Sequence, residues 1–207
     1  MPLIKIHKAL ILIVLFFALP PFATAGETPD VGKVVRQFQV GLVTVMQDSE
    51  SLGVKGRYER LRQIIGKAFH ARMMVRIATG QYWNASTPDQ KDALAHAFSH
   101  MSAATLASLI DGYSGERFEF LGDQEGPQGT RIVSTQLITS ENATHQIRYV
   151  ARRFGDGWRL IDVIVDAGIS ELRVRMSEYR KTLQDSGVDG LINQLESKGN
   201  ELMASAN

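Results

Sequence analysis

The spacing of apolar residues changes period twice along this chain, and the changes divide it into three stretches. From residue 28 to about 50, Val34, Val35, Phe38, Leu42, Val45 and Met46 recur at steps of three and four, so one stripe of a helix is apolar. Pro29 falls where a first helical turn tolerates proline. The same period predicts a shorter helix over 56–67 with Tyr58, Leu61, Ile64 and Ile65 inward, and a third over about 70–79 carrying Met73, Met74, Ile77 and Ala78. Gly80 is placed to stop it. Thr87, Pro88 and Gln90 then supply an N-cap, a first-turn proline and a reciprocal cap for a long helix. Along that helix Leu94, Phe98, Met101, Thr105 and Leu109 form one stripe, which Ala97, Leu106, Ile110 and Tyr113 widen until much of the circumference is dry.

After Gly115 the period falls to two, and four strands are predicted over 117–121, 130–139, 145–154 and 158–165. Gly155-Asp156-Gly157 suits a tight hairpin between the last two, so an antiparallel meander is the simplest arrangement. Past Gly168 the helical period returns. Ser170 is placed as an N-cap, Leu172, Met176, Tyr179 and Leu183 share a face, and Gly187 ends the run. Asp189 is placed to cap a last short helix through Leu191, Ile192 and Leu195, and the tail 204–207 is expected to fray. Helices, then a sheet, then helices that return to cover it make an α+β fold.

The last predicted strand does not alternate as a half-wet strand should. Strict alternation puts Trp158, Leu160 and Ile164 on one face with Asp162, and Ile161, Val163 and Val165 on the other with Arg159. Both faces are therefore largely dry. Either helices cover both, or one face lines an apolar pocket, and the pattern leaves both open. The methionines at 73, 74, 101 and 176 fit ordinary core or a wall that repacks around a ligand.

The N-terminus adds a destination. Lys5 and Lys8 precede an apolar run over 9–19, then Pro20-Pro21 and the small residues Ala23-Thr24-Ala25, the three-part order of a secretory signal cut after Ala25. The run of about 11 residues falls short of the about 20 a spanning helix needs. Gly26, not cysteine, follows the cut, and the chain has no cysteine at all. Lipid attachment at a lipobox, disulfides, zinc-thiolate sites and thiol catalysis are thereby excluded. The expectation is a signal peptide over 1–25 and one exported, soluble domain over 26–207, with helical parts 29–114 and 170–202 and a sheet over 117–165. Lysine and arginine number 23 against 22 acids and are scattered, so there is no electrostatic footprint for nucleic acid.

Candidate chemistry is sparse. His96 and His100 share a helix face, as a two-histidine metal site would require, but Ala97 stands where the catalytic version carries glutamate and no third ligand is evident. Neither a phosphate loop nor a nucleophile elbow is present. Asp162, among apolar neighbours, and Tyr149 on the adjacent strand could imitate the acid and phenol of an isomerase-like cone. The simpler reading of Asp162 is structural, bonded to Arg148, Arg152 or a loop amide. An enzyme acting on a small apolar substrate is the alternative reading.

Several stretches also occur in a fixed order: Phe69 with Met73 and Met74, Gly80-Gln81-Tyr82-Trp83 before Thr87-Pro88, Tyr113 with Gly115, Tyr149, Gly157-Trp158 through Asp162-Val163, Gly168-Ile169-Ser170, and Tyr179 with Gly187 and Leu191. As a set they resemble the toluene-tolerance, MlaC-like family of periplasmic lipid-binding proteins, over essentially all of the expected mature chain. The resemblance implies a curved four-stranded antiparallel sheet of nuclear-transport-factor-2 type, packed with helices around a deep apolar pocket. It also implies a carrier, not an enzyme, that passes phospholipid between an outer-membrane lipid complex and an inner-membrane ABC transporter, without cofactor or metal. Where phospholipid carriers of the family tend to read Glu-Gly-Val-Ser, this chain has Asp166-Ala167-Gly168-Ile169-Ser170 and then Glu171-Leu172. That offset, with the ending Ser186-Gly187-Val188-Asp189-Gly190-Leu191, is similar to the hopanoid-associated HpnM branch, which would substitute a rigid triterpenoid ligand and a hopanoid-export partner. On this likeness the expected pocket liners are Phe38, Leu42, Phe69, Met73, Ile77, Phe98, Met101, Tyr149 and Ile164, with Tyr82, Trp83 and Arg148 at the mouth.

Overall fold

Residues 30–166 and 168–205 are described by the computed structural model. The expected signal segment lies outside the described residues. Asp30 accepts the backbone N–H of Gly32 at 2.9 Å and so caps α1 (Val31–Gln47), whose stripe Val31, Val35, Phe38 and Val45 is buried. Helix α2 (Ser49–Ala68) starts earlier than the expected 56–67, because Gly53 takes a φ of 56° and joins a preceding turn to the main run at a break. The chain then extends at Phe69, which bridges to Leu160 in the sheet. His70 Nδ1 accepts the Met73 N–H at 3.1 Å to cap α3 (Ala71–Thr79). Gly80, with φ 55°, ends α3 as expected, but a short α4 (Gln81–Ala85) begins directly behind it.

At α5 (Pro88–Leu109) the capping box is complete: Thr87 Oγ1 accepts the Gln90 N–H and Gln90 Oε1 accepts the Thr87 N–H. Leu94, Ala97, Phe98, Met101, Ala103, Ala104 and Ala107 are all buried, so α5 is the internal helix that its wide apolar surface predicts. Its end differs. Leu109 is 71% exposed, and Tyr113 lies beyond the helix.

The sheet is an antiparallel meander, β1 (Arg117–Glu125), β2 (Thr130–Ile138), β3 (Thr144–Phe154), β4 (Gly157–Val165) and β5 (Ile169–Ser170), in that order. It has five strands where four were expected, because two residues after the Asp166 turn pair back onto Ile164 and Val165. Strand β1 runs past its expected end, since a bulge takes up Leu121 as an extra residue and pairing resumes at Gly122. Gly155 and Asp156 form the tip of the β3–β4 hairpin, Phe154 being paired with Gly157.

A second bulge corrects the face assignment of β4. Val150 pairs with Asp162 and Ala151 with Leu160, leaving Ile161 as the extra residue. Beyond it the alternation shifts by one. Trp158 and Leu160 therefore share a face with Val163 and Val165, while Ile164 lies with Asp162 on the opposite face. Phe38, Val133, Tyr149, Ala151 and Leu160 make one core between the sheet and α1 and α2. On the other side Ile161, with Val150 and Phe154 against it, joins a larger core of residues from α3, α4, α5 and α6 (Glu171–Ser205). Both alternatives left open by the dry strand are realised: helices cover both faces, and the face that carries Val163 and Val165 also borders a cavity. Helix α6 breaks at Gly187, where φ is 64°, into the two expected runs. Asp189, expected as a cap, instead accepts the Gln90 side-chain amide at 2.9 Å and ties the second run to the start of α5.

Candidate functional site

A cavity of about 370 Å³ lies between α5 and the sheet. The sheet contributes Ile147, Tyr149, Val163 and Val165, with Phe118 and Leu137 at its far strands. Their registry explains the grouping: Ile147 pairs with Val165, Tyr149 with Val163 and Phe118 with Leu137, so all six stand on one face. Opposite them α5 supplies Phe98, Ser102, Thr105 and Leu109, each three or four residues from the next, with Leu106 beside Thr105 widening the stripe. Phe38, Leu42, Ile65 and Phe69 close one side, and Met74 and Leu172 the other. Phe38 is edge-on to Phe69 at 5.0 Å and to Tyr149 at 6.2 Å, which fixes the aromatic end of the cavity.

Polar groups in the wall are mostly self-satisfied. The Ser102 and Thr105 hydroxyls donate to carbonyls one turn back, Phe98 O and Met101 O, at 2.8 Å. Buried Gln39 on α1 donates through Nε2 to Thr135 Oγ1 at 3.1 Å and to the Tyr149 hydroxyl at 3.3 Å. Burial pushes the Tyr149 phenol up to about 12, the Gln39 donor pulling the other way. At the α6 side Glu171 and Arg175 line the cavity and pair with each other at 3.4 Å, and Arg175 also reaches Glu178 at 2.9 Å. A larger cleft of about 950 Å³ lies outside Phe38, but Asp30, Lys33, Lys67, Asp156 and Arg159 rim it. Hydrocarbon would desolvate those charges there, so the apolar cavity between α5 and the sheet is the candidate site.

Of the residues expected to line a pocket, Phe38, Leu42, Phe69, Phe98 and Tyr149 come together around this cavity. Met74 takes the place expected for Met73, because the helical turn of α3 aims its neighbour inward and leaves Met73 packed on the outer side of the core. Ile77 is 37% exposed. Met101 is buried among α5 and α6 residues, and Ile164 is on the far face of the sheet, carried there by the bulge. Trp83 is buried in the helical core with Tyr82 packed against it, and Arg72 stacks over its ring at 5.2 Å, so neither aromatic stands at the cavity. Arg148 pairs with Ile164 and shares its face.

The competing acid and phenol pair is not assembled. Tyr149 faces the cavity, whereas Asp162 pairs with Val150 and faces the other way. Asp162 accepts the Ser170 hydroxyl at 2.6 Å and the Leu172 N–H at 3.1 Å, with the Val163 N–H at 2.8 Å, so it anchors β5 and the start of α6. His100 joins helices instead of a metal: Nδ1 meets the Tyr58 hydroxyl at 2.7 Å and Nε2 meets Asn200 Oδ1 at 3.2 Å. Among the described residues no group of three or more side chains is placed to hold a metal ion, and no helix is long and apolar enough to cross a membrane.

These features define a class, an α+β protein whose helices and open antiparallel sheet enclose an apolar pocket. A family model described as MlaC protein matches residues 37–197, and the chain belongs to the MlaC family. Among solved structures it resembles a phospholipid-binding protein from Ralstonia solanacearum in complex with a phospholipid. The two share 16% identity and a TM-score of 0.68 over 84% of this chain and 98% of that one.

Proposed function

We propose that this protein is a periplasmic lipid carrier that takes an apolar chain of a membrane lipid into the α5–sheet cavity and delivers it across the aqueous gap between two membranes. The observation that carries the reading is the cavity itself: a space of about 370 Å³ walled by Phe38, Phe98, Leu106, Ile147 and Val163, in a chain of the MlaC family. Each methylene withdrawn from water contributes about 0.8 kcal/mol, so about ten of them supply on the order of 8 kcal/mol before ordering costs. No strong polar contact is needed for that. A secretory signal over 1–25, cut before Gly26, would export the protein, as a shuttle requires. Donor and acceptor would be an outer-membrane lipid complex and an inner-membrane ABC transporter, and phospholipid is the first ligand to try, with hopanoid the second.

Organic extraction and native mass spectrometry of protein purified from its own host test this. A stoichiometric co-purifying lipid is the expected result, and its mass separates phospholipid from hopanoid. Protein that carries no lipid and takes none up from vesicles would refute the carrier role.

A further inference from the structure

A second cleft, of about 720 Å³, opens between the end of α5 and the two runs of α6. It shares Thr105, Leu109 and Arg175 with the apolar cavity, so the two spaces adjoin across those three side chains. Its lining is of a different kind: Arg175 and Lys198 are balanced by Glu178 and Glu201, and Ser108, Gln194 and Ser197 add hydrogen-bonding groups. Tyr179 also lines it. That side chain is 2% exposed, and its hydroxyl is the one buried side-chain polar atom without a hydrogen-bond partner among the described residues. A buried orphan hydroxyl costs about 1–3 kcal/mol unless something completes it. Burial raises the phenol far above its ordinary value, against the pull of Arg175, so the group remains a proton donor.

We propose that this cleft is the head-group subsite of the carried lipid and that the Tyr179 hydroxyl donates a hydrogen bond to the head group's phosphate. The inference rests on the carrier reading above and adds the ligand's polar chemistry to it. A cleft whose cations and carboxylates cancel leaves some of them unmatched by a guest of net charge, whereas a phosphate–ammonium zwitterion meets both signs. Arg175 stands where the two spaces meet, at the junction between hydrocarbon and phosphate, and the exposed Leu109 borders both of them.

The test uses delipidated protein with three probes: phosphatidylethanolamine and phosphatidylglycerol of identical acyl chains, and a long-chain alcohol without phosphate. Wild type is expected to prefer the ethanolamine lipid. Tyr179→Phe weakens that lipid about tenfold, the worth of one hydrogen bond to a charged group, and binds the alcohol as wild type does. Without lipid, Tyr179→Phe melts at or above the wild-type temperature, since it removes an orphan hydroxyl. Unchanged affinity of Tyr179→Phe for the ethanolamine lipid, equal wild-type affinity for the two phospholipids, or a lipid-free variant that melts lower or fails to fold would overturn the subsite. Uptake of none of the three probes by wild type would instead remove the carrier reading beneath it.

Discussion

Gln39 occupies a position where the period of α1 asks for a hydrophobe, and it is buried there because two hydroxyls of the sheet need a donor. Gln39→Ala removes that donor and leaves the Tyr149 oxygen without the amide that reaches it at 3.3 Å. A loss of about 1–3 kcal/mol in urea unfolding is expected, part of which Gln39→Ala combined with Tyr149→Phe recovers. The raised phenol of Tyr149 has its own signature. Its value is about 12 in the folded protein against 10.0 in the unfolded chain, so the folded state holds its proton longer. Stability is therefore full below pH 10 and falls as pH rises toward 12, on the order of 1.4 kcal/mol per pH unit, and Tyr149→Phe flattens that decline in alkaline melts. For the cavity, Ser102→Trp is the sharper probe, because it fills the space from α5. Lipid recovered by extraction should fall to near zero while the far-ultraviolet circular dichroism is unchanged, at a cost of about 1–3 kcal/mol.

Among elements, those set by local chemistry were legible and those set by pairing were not. The capping box at Thr87, the glycine stops at Gly80 and Gly187 and the four long strands follow from residues a few positions apart. Strand β5 and the bulge at Ile161 do not, since both depend on which residue lies across the sheet. The cavity was legible to the same degree. Phe38, Leu42, Phe69, Phe98 and Tyr149 stand on stripes that the period reveals, whereas Val163 and Val165 were separated from Leu160 by an alternation that the bulge breaks. Ile147 lies two residues from Tyr149 and could have been found by parity alone, and so could Leu137, two positions from Thr135. Arg175 and Tyr179 could not, because their place depends on how α6 returns over α5. Asp162 belongs at this scale too. Asp162→Ala removes the acceptor that Ser170 and the Leu172 N–H share, so amide exchange should quicken through β5 and the first turn of α6, with about 1–3 kcal/mol lost overall.

For the whole molecule, the sheet serves two cores at once, and adjacent residues of β4 divide between them: Leu160 packs with Phe38 and Tyr149, Ile161 with Tyr179 and Leu191. Ligand that fills the cavity stabilises only the side it touches directly, but the shared sheet makes unfolding a joint event. Lipid-loaded protein should accordingly melt in one transition at a higher temperature than stripped protein, the gap widening with lipid concentration. The bulge also governs how the chain length can vary. Strand β4 is one residue longer than the partner stretch it faces, so deleting Ile161 would leave Val150 opposite Asp162 and Ala151 opposite Leu160, with every side chain on its present face. Deleting Val163 would turn Ile164 toward the cavity and Val165 away from it. Strand β4 thus has one position where the reading frame of its two faces can be shortened without turning the protein inside out, and it is the residue whose loss the cavity would not feel.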